Sequence, residues 1–286
     1  MNRRQTILEK LNKISQSDKK IVAMASAVKD FNSLIENKDL ENVELAEFIE
    51  KDPIMTAFLL KNVNSSYYGF TVVIDSVLQA VNMLGIGNVK NLFLSSFMQR
   101  TFMPDDKKLW NDLWKHSLGV ALIAENLSKY NDNIKKEHLF TAGLMHDIGS
   151  FILYFYLEDE AKPVFEALEK DDNKRLLIHE KNVLGITHDE IGYLFAKVWK
   201  FPDLITNCIR YHHKTSSGGR KYNTEISIIK VANSLAKAFE FGVSKNFFVE
   251  PIPNHLWREL DFPESEIPDL VKKFKEDFNE LTGFIK

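Results

Sequence analysis

The chain has 286 residues, 44% of them hydrophobic and 27% charged, and a formal net charge of −3. That length allows one or two domains with a sizeable core, the composition is that of an ordinary soluble globular protein, and the charge balance excludes the basic excess that tracks a phosphate backbone. Nucleic acid is therefore not expected as a main partner. The single cysteine, Cys208, excludes an internal disulfide and suits a reducing cytoplasm.

The N-terminus, Met1 to Thr6, is basic but is followed by Glu9, Lys10, Asn12 and Lys13 rather than by an apolar run, so no signal peptide is expected. The longest apolar stretch, Phe151 to Leu157, is about a third of a membrane helix. These features predict a soluble cytoplasmic protein with no membrane partner.

Glycine and proline are sparse, and apolar residues recur every three or four positions, which predicts an all-α fold. In the first unit, Asp52 as N-cap and Pro53 at the first helical position start a helix through Ile54, Phe58, Leu59 and Val63, ending near Asn64, Ser65 and Gly69. An amphipathic stretch over Val77, Ala80, Val81 and Leu84 ends at Gly85-Ile86-Gly87, and Val89 to Met98 reads as a buried helix. The polar segment Pro104 to Lys108 is a plausible boundary between two packed lobes.

The next helix carries Leu113, Val120, Ile123 and Leu127, with His116 in the same inward row. A helix through Leu139, Ala142 and Leu144 closes on His146-Asp147-Ile148-Gly149. Thr187 and Glu190 match a capping box, which places His188 in a first turn where the helix dipole disfavours protonation. A helix from Phe201-Pro202-Asp203 carries Leu204, Cys208 and His212 and ends at His213, before a Gly218-Gly219 loop. Ile226, Ile229 and Ala236 flank Asn233, turning it inward. From about Asn246 the chain reads as a proline-broken loop, then one or two amphipathic helices with Leu270, Phe274, Phe278 and Leu281. The expected division is 1–105 for an N-terminal helical lobe, 106–245 for a helical core and 246–286 for a tail packed on it.

A divalent cation needs neutral imidazoles and carboxylates brought to one point from several helices, and an adjacent His-Asp pair supplies two from one helix end. His116, His146-Asp147, His188, His212-His213 and Asn233 fall in such an order. With them run Lys51-Asp52-Pro53-Ile54, Asn62-Val63-Asn64-Ser65-Ser66-Tyr67-Tyr68-Gly69, Ala142-Gly143-Leu144-Met145, Leu184-Gly185-Ile186-Thr187, Trp199-Lys200-Phe201-Pro202 and Val231-Ala232-Asn233. On these motifs the chain resembles the HDOD family, the HD-related output domains of bacterial signalling proteins, within the HD superfamily of metal-dependent phosphohydrolases.

The resemblance implies an HD-like helical core with a second helical lobe packed on it. By the same resemblance, His116, His146, Asp147 and the residue at 233 hold one ion, and His188, His212 and His213 match the added histidines of two-metal relatives. One or two divalent ions (Fe, Mn, Zn or Ni) would then be cofactors, with His146 and Asp147 the candidate catalytic residues. Three departures weigh against catalysis. Asn233 stands where an aspartate is usual, Ser150 where a lysine is frequent, and Lys214 follows His213 where the HD-GYP phosphodiesterases carry further motif text.

The favoured expectation is a regulatory, non-catalytic bacterial signalling protein with a degenerate site, either metal-bound or metal-free, joined to its pathway by protein partners because no receiver or sensor is attached. The alternative is a metal-dependent phosphohydrolase of a nucleotide or other phosphoester, and a third reading is a nucleotide sensor without turnover. Trp114, Trp199 and the aromatic run Phe151, Tyr154, Phe155 and Tyr156 read as packing rather than a nucleotide platform. Asn64-Ser65 and Tyr67-Tyr68-Gly69 fit a partner groove or a plain turn equally well. His138, His179 and His255 match no ligand pattern.

Overall fold

In the computed structural model the described residues are 3–104, 107–131, 134, 136–171, 175–214, 221–242, 248–260 and 263–282, and among them there is no strand. The expected boundaries at 105–106 and 245–246, and the Gly218-Gly219 pair, lie outside the described residues. No helix among the described residues is long and apolar enough to cross a membrane.

The N-terminal helices are α1 (Arg3–Ser17), α2 (Lys19–Ile35), α3 (Asn42–Glu50), α4 (Pro53–Val63) and α5 (Val77–Phe102). Asp18 caps α2 by accepting from the backbone N–H groups of Lys20 and Ile21, and Asp52 caps α4 through those of Ile54 and Met55, each at 3.0 Å. Within α5, Gly85 has a φ of +75° and a ψ of 162°, which break the helix there. The two predicted helices are thus present as two segments of α5 that meet at Gly85, the residue that tolerates positive φ.

The core follows with α6 (Lys107–Leu127), α7 (Lys136–Met145), α8 (Ile148–Tyr156), α9 (Glu158–Glu169), α10 (Leu176–Leu184), α11 (His188–Val198), α12 (Asp203–Tyr211) and α13 (Asn223–Ala238). The chain closes with α14 (Asn254–Glu259) and α15 (Ile267–Thr282), which buries Leu270, Phe274 and Phe278 as their spacing predicts. Helices α7, α13 and α15 pack on α6, α11 packs on α8 and α12, and α5 joins α2, α3 and α4 to α7. The fold is all-α, an HD-like helical core with the N-terminal helices packed beside it. Helices α1, α2, α3, α8, α9 and α10 go beyond those the sequence patterns predicted, although Ile21, Met24, Val28 and Phe31 behind the Asp18 cap do carry a helical stripe.

Two glycines set how closely the core helices approach. A Cβ on Gly143 would lie 2.7 Å from the Ala121 Cα, so α6 and α7 touch backbone to backbone. On Gly149 it would lie 2.6 Å from the Gly192 backbone nitrogen and collide with the His188 carbonyl, so α8 and α11 do the same. These contacts draw the ends of α7, α8 and α11 together.

Candidate metal centre

Asp147 sits at the joint between α7 and α8, and its two carboxylate oxygens face two different sets of imidazoles. Oδ1 lies 3.3 Å from His188 Nε2 and 3.4 Å from His212 Nε2. Oδ2 lies 3.6 Å from His146 Nε2 and 4.0 Å from His116 Nε2. The potential ligand atoms form two groups, Asp147 with His188, His212 and His213, and Asp147 with His116 and His146, each lying within 4.8 Å of one another. Asn233 joins the second group through Oδ1, 3.0 Å from His116 Nε2. All seven predicted residues therefore meet at one point, from α6, the α7–α8 joint, the start of α11, the end of α12 and the middle of α13.

The rings are fixed from behind. His146 Nδ1–H donates to the Gly143 carbonyl at 2.7 Å, and His212 Nδ1–H donates to the Ile209 carbonyl at 2.8 Å. Both bonds close locally, three residues back on the same helix, and leave the Nε2 lone pairs pointing at Asp147. His188 Nδ1 is held by the fully buried Glu180 carboxylate at 2.8 Å, which also accepts the His188 backbone N–H at 2.9 Å. Such outer partners fix the tautomer and raise the basicity of metal-binding imidazoles.

The site passes a test of fit for divalent ions. Among the described residues, Asp147 Oδ1 and the two ring nitrogens His146 Nε2 and His212 Nε2 that face its carboxylate are buried without a hydrogen-bond partner. Unpartnered buried polar atoms carry a desolvation penalty. Their concentration around one carboxylate is what a cation would relieve.

Burial pushes His116 down to about 4 and His146 to about 3, against the attraction of Asp147, so both rings are neutral near pH 7. His213 is pushed well below the ordinary range by burial and by the neighbouring His212 and His188. Burial works to raise Asp147, but His146, His188 and His212 outweigh it and hold the carboxyl well below its usual range. His188 corrects an expectation. The helix N-terminus and burial do oppose protonation, but Glu180 and Asp147 carry its value up to about 9. As an imidazolium, its Nε2–H donates to His213 Nε2 at 3.0 Å.

These values predict a maximum in stability. With ions removed by a chelator, thermal unfolding midpoints are expected to peak near pH 6.5, the ordinary histidine value. Below it the unfolded chain binds protons that folded His116 and His146 refuse, so stability falls as pH drops toward about 4. Above it the unfolded chain has lost the proton that folded His188 keeps, so the His188 contribution, complete below pH 6.5, is lost as pH rises through about 9. Glu180→Gln should flatten the alkaline limb, and an unchanged limb in that variant would assign it to another group.

Three neighbours escaped the sequence reading. Glu180 has no spacing signal, because the turn between α10 and α11 folds it back onto His188. Lys237, four residues beyond Asn233 on the same face of α13, was legible by helical spacing; it is buried enough to lower its ammonium, against the attraction of Asp147 and Glu250. Glu250 places an oxygen 3.5 Å from His213 Nδ1. Of the histidines read as non-ligands, His179 pairs with Asp171 at 2.7 Å, and His138 and His255 are exposed. The capping box of Thr187 and Glu190 is present.

An all-α scaffold that gathers imidazoles around a central aspartate defines a class, and comparison with known proteins narrows it. The HDOD domain model matches residues 21–215, and the chain belongs to the HDOD family. A crystal structure of an HDOD domain protein with unknown function from Geobacter sulfurreducens superposes with a TM-score of 0.75 at 23% identity, covering 90% of this chain and 91% of that one. A Marinobacter aquaeolei VT8 protein, provisionally called a signal transduction protein, gives 0.76 at 21% identity, over 90% of this chain and 57% of that one. A Shewanella amazonensis SB2B protein, provisionally called a phosphohydrolase, gives 0.68 at 19% identity, over 96% and 97%. In sequence, the chain is 24% identical over 234 residues to an uncharacterized protein of Treponema pallidum (strain Nichols), of whose length it spans 43%.

Proposed function

We propose that the chain is a signal-transduction protein in which the histidine–aspartate cluster takes one or two divalent ions for a structural or regulatory purpose, and which acts through protein partners rather than by efficient hydrolysis. The observation that carries the metal reading is the division of Asp147, one oxygen to each of two sets of pre-oriented imidazoles. His116, His146, Asp147 and Asn233 would hold one ion, and Asp147, His188, His212 and His213 the other. The membership of the HDOD family and the Marinobacter neighbour support a role in signalling.

Three features disfavour turnover. The Asn233 amide cannot neutralise a dication as a carboxylate does, which leaves Asp147 as the only carboxylate within the two ligand groups. Ser150 is buried where a phosphate-binding cation is frequent in HD enzymes. The cavity beside His212 and His213 is only about 50 Å³, and Glu250 places a carboxylate in its lining. Small-molecule sites usually run to several hundred Å³, more than the cavity that both His212 and His213 line.

A phosphohydrolase is the second reading, favoured by the shared carboxylate and by the Lys237 ammonium close to it. A bound divalent ion would supply Lewis acidity and an activated water at such a site. His116, His146, His188, His212 and His213 would fix the ions, and Lys237 would counter phosphate charge.

The test is metal content and affinity on protein purified without a histidine tag, with Asn233→Asp alongside. The wild type is expected to carry Fe, Mn, Zn or Ni and to turn over bis(p-nitrophenyl) phosphate no faster than an Asp147→Asn control. Asn233→Asp should tighten ion binding about tenfold, in line with about 1.4 kcal/mol for a restored charge. A folded protein that takes up none of these ions would overturn the metal reading. Turnover that disappears in Asp147→Asn would establish the enzyme instead.

A further inference from the structure

A second cavity, of about 180 Å³, lies where α4, the turn after it and α5 meet α6. No residue of the histidine–aspartate cluster lines it. Trp110, Trp114 and Leu118 of α6 do, at spacings of four, whereas His116 lies two residues from Trp114 and so about 200° round the helix. The cavity and the metal centre therefore sit on opposite faces of one helix.

Its walls are aromatic. Trp110 and Trp114 stack with centroids 5.4 Å apart and planes at 16°. Tyr67 and Tyr68 meet edge to face at 5.0 Å on the N-terminal side. The turn Tyr67-Tyr68-Gly69, for which the sequence left a partner groove and a plain turn open, contributes both tyrosines to this lining.

The polar groups have their roles already divided. Asn62 Nδ2 donates to the Phe58 carbonyl at 2.7 Å and Asn88 Nδ2 to the Leu84 carbonyl at 2.9 Å, so each amide oxygen remains as an acceptor. The Ser95 hydroxyl donates to the Asn91 carbonyl at 2.8 Å and keeps its lone pairs. Asn91 Oδ1 accepts from the Thr141 hydroxyl, which leaves its Nδ2 as a donor. The lining thus combines stacking surfaces with a polar edge of several acceptors and an amide donor, beside the charged side chains of Lys61, Lys107 and Glu125. Its complement is a flat heterocycle with N–H groups and a ring acceptor along its edge. A cavity of about 150 Å³ holds benzene, so this one has room for one or two fused rings and none for a triphosphate.

We propose that this cavity binds a purine base, or a heterocycle of the same outline, as a site separate from the metal centre. The rings of Trp110, Trp114, Tyr67 and Tyr68 supply the apolar walls, and Asn62, Asn88 and Asn91 read the edge.

The experiment titrates the full chain, with metals chelated, with adenine, guanine and hypoxanthine, following tryptophan fluorescence and calorimetric heat. Uracil and indole serve as controls for ring size and for a ring without the polar edge. The expected result is one purine bound per chain with a dissociation constant below about 1 mM, and both controls at least about tenfold weaker. Asn88→Leu, at a half-buried position, is expected to weaken binding about tenfold through one lost hydrogen bond. Asn91→Leu should do the same, and His213→Ala should leave it unchanged. Absence of purine binding at about 5 mM, indole binding equal to purine, or indifference to both asparagine substitutions would overturn the proposal. Loss in folded His213→Ala would do so as well, by moving the purine to the histidine cluster.

Discussion

Asp147→Asn is expected to remove both ions at once, with metal content after reconstitution with manganese or zinc falling from one or two equivalents to nearly none. The expectation follows from the geometry, because Oδ1 faces His188 and His212 while Oδ2 faces His146 and His116. No other carboxylate belongs to either ligand group. Loss of an outer partner alone weakens metal binding about 10- to 100-fold, so loss of the sole anionic ligand should cost at least about 100-fold. His116→Ala serves as the contrast, since it touches one group and should spare the ion held by His188, His212 and His213. Inductively coupled plasma mass spectrometry measures both, with circular dichroism confirming the fold. An Asp147→Asn protein that keeps its ions would mean that the shared carboxylate is not a ligand.

The second large effect is expected at a residue with no chemistry of its own. Gly149→Ala puts a methyl group against the His188 carbonyl and 2.6 Å from the Gly192 backbone nitrogen, and backbone cannot rotate away as a side chain can. Relief requires α8 and α11 to separate, in a core where Ile148, Phe151, Ile152, Ile191 and Phe195 are all buried. Overpacking of this kind costs about 3 kcal/mol, and a chain of this size should lose on the order of 10 °C in melting temperature. The same shift would draw His188 away from Asp147, so metal affinity should fall with stability. Gly85→Ala contrasts with it: no atom lies within 4 Å of the added methyl, and the strain comes from a φ of +75° alone. A Gly149→Ala variant as stable as the wild type would show that the two helices are not in backbone contact.

The ligand side chains were legible because each is tied to a local pattern: an apolar row for His116, a helix end for His146-Asp147, and a capping box for His188. The HDOD motifs gave the same residues by resemblance. The environment of His188 was not legible. Its first-turn position argues for a neutral ring, and only the approach of α10 supplies the Glu180 carboxylate that reverses the charge state. Lys237 was within reach by counting four residues from Asn233, whereas Glu250 was not, since it reaches His213 from a stretch without helical periodicity. The break between two helices at Gly85 was legible, because glycine marks a backbone change that other residues tolerate poorly.

Arg4 of α1 carries a practical consequence. Its guanidinium donates to the Gly185 carbonyl and to Glu190, each at 3.1 Å, and so grips the capping box that opens α11 beside His188. Residues 21–215 match the family, yet Arg4 lies before that span, and α13, with Asn233 and the inward row Ile226, Ile229 and Ala236, lies after it. A fragment trimmed to the matching span would retain all five cluster histidines and Asp147. It would still bare the face of α6 that α13 covers, expose a broad apolar surface to self-association, and release the clamp at the start of α11. For this chain, homology limits are therefore poor cutting points for expression.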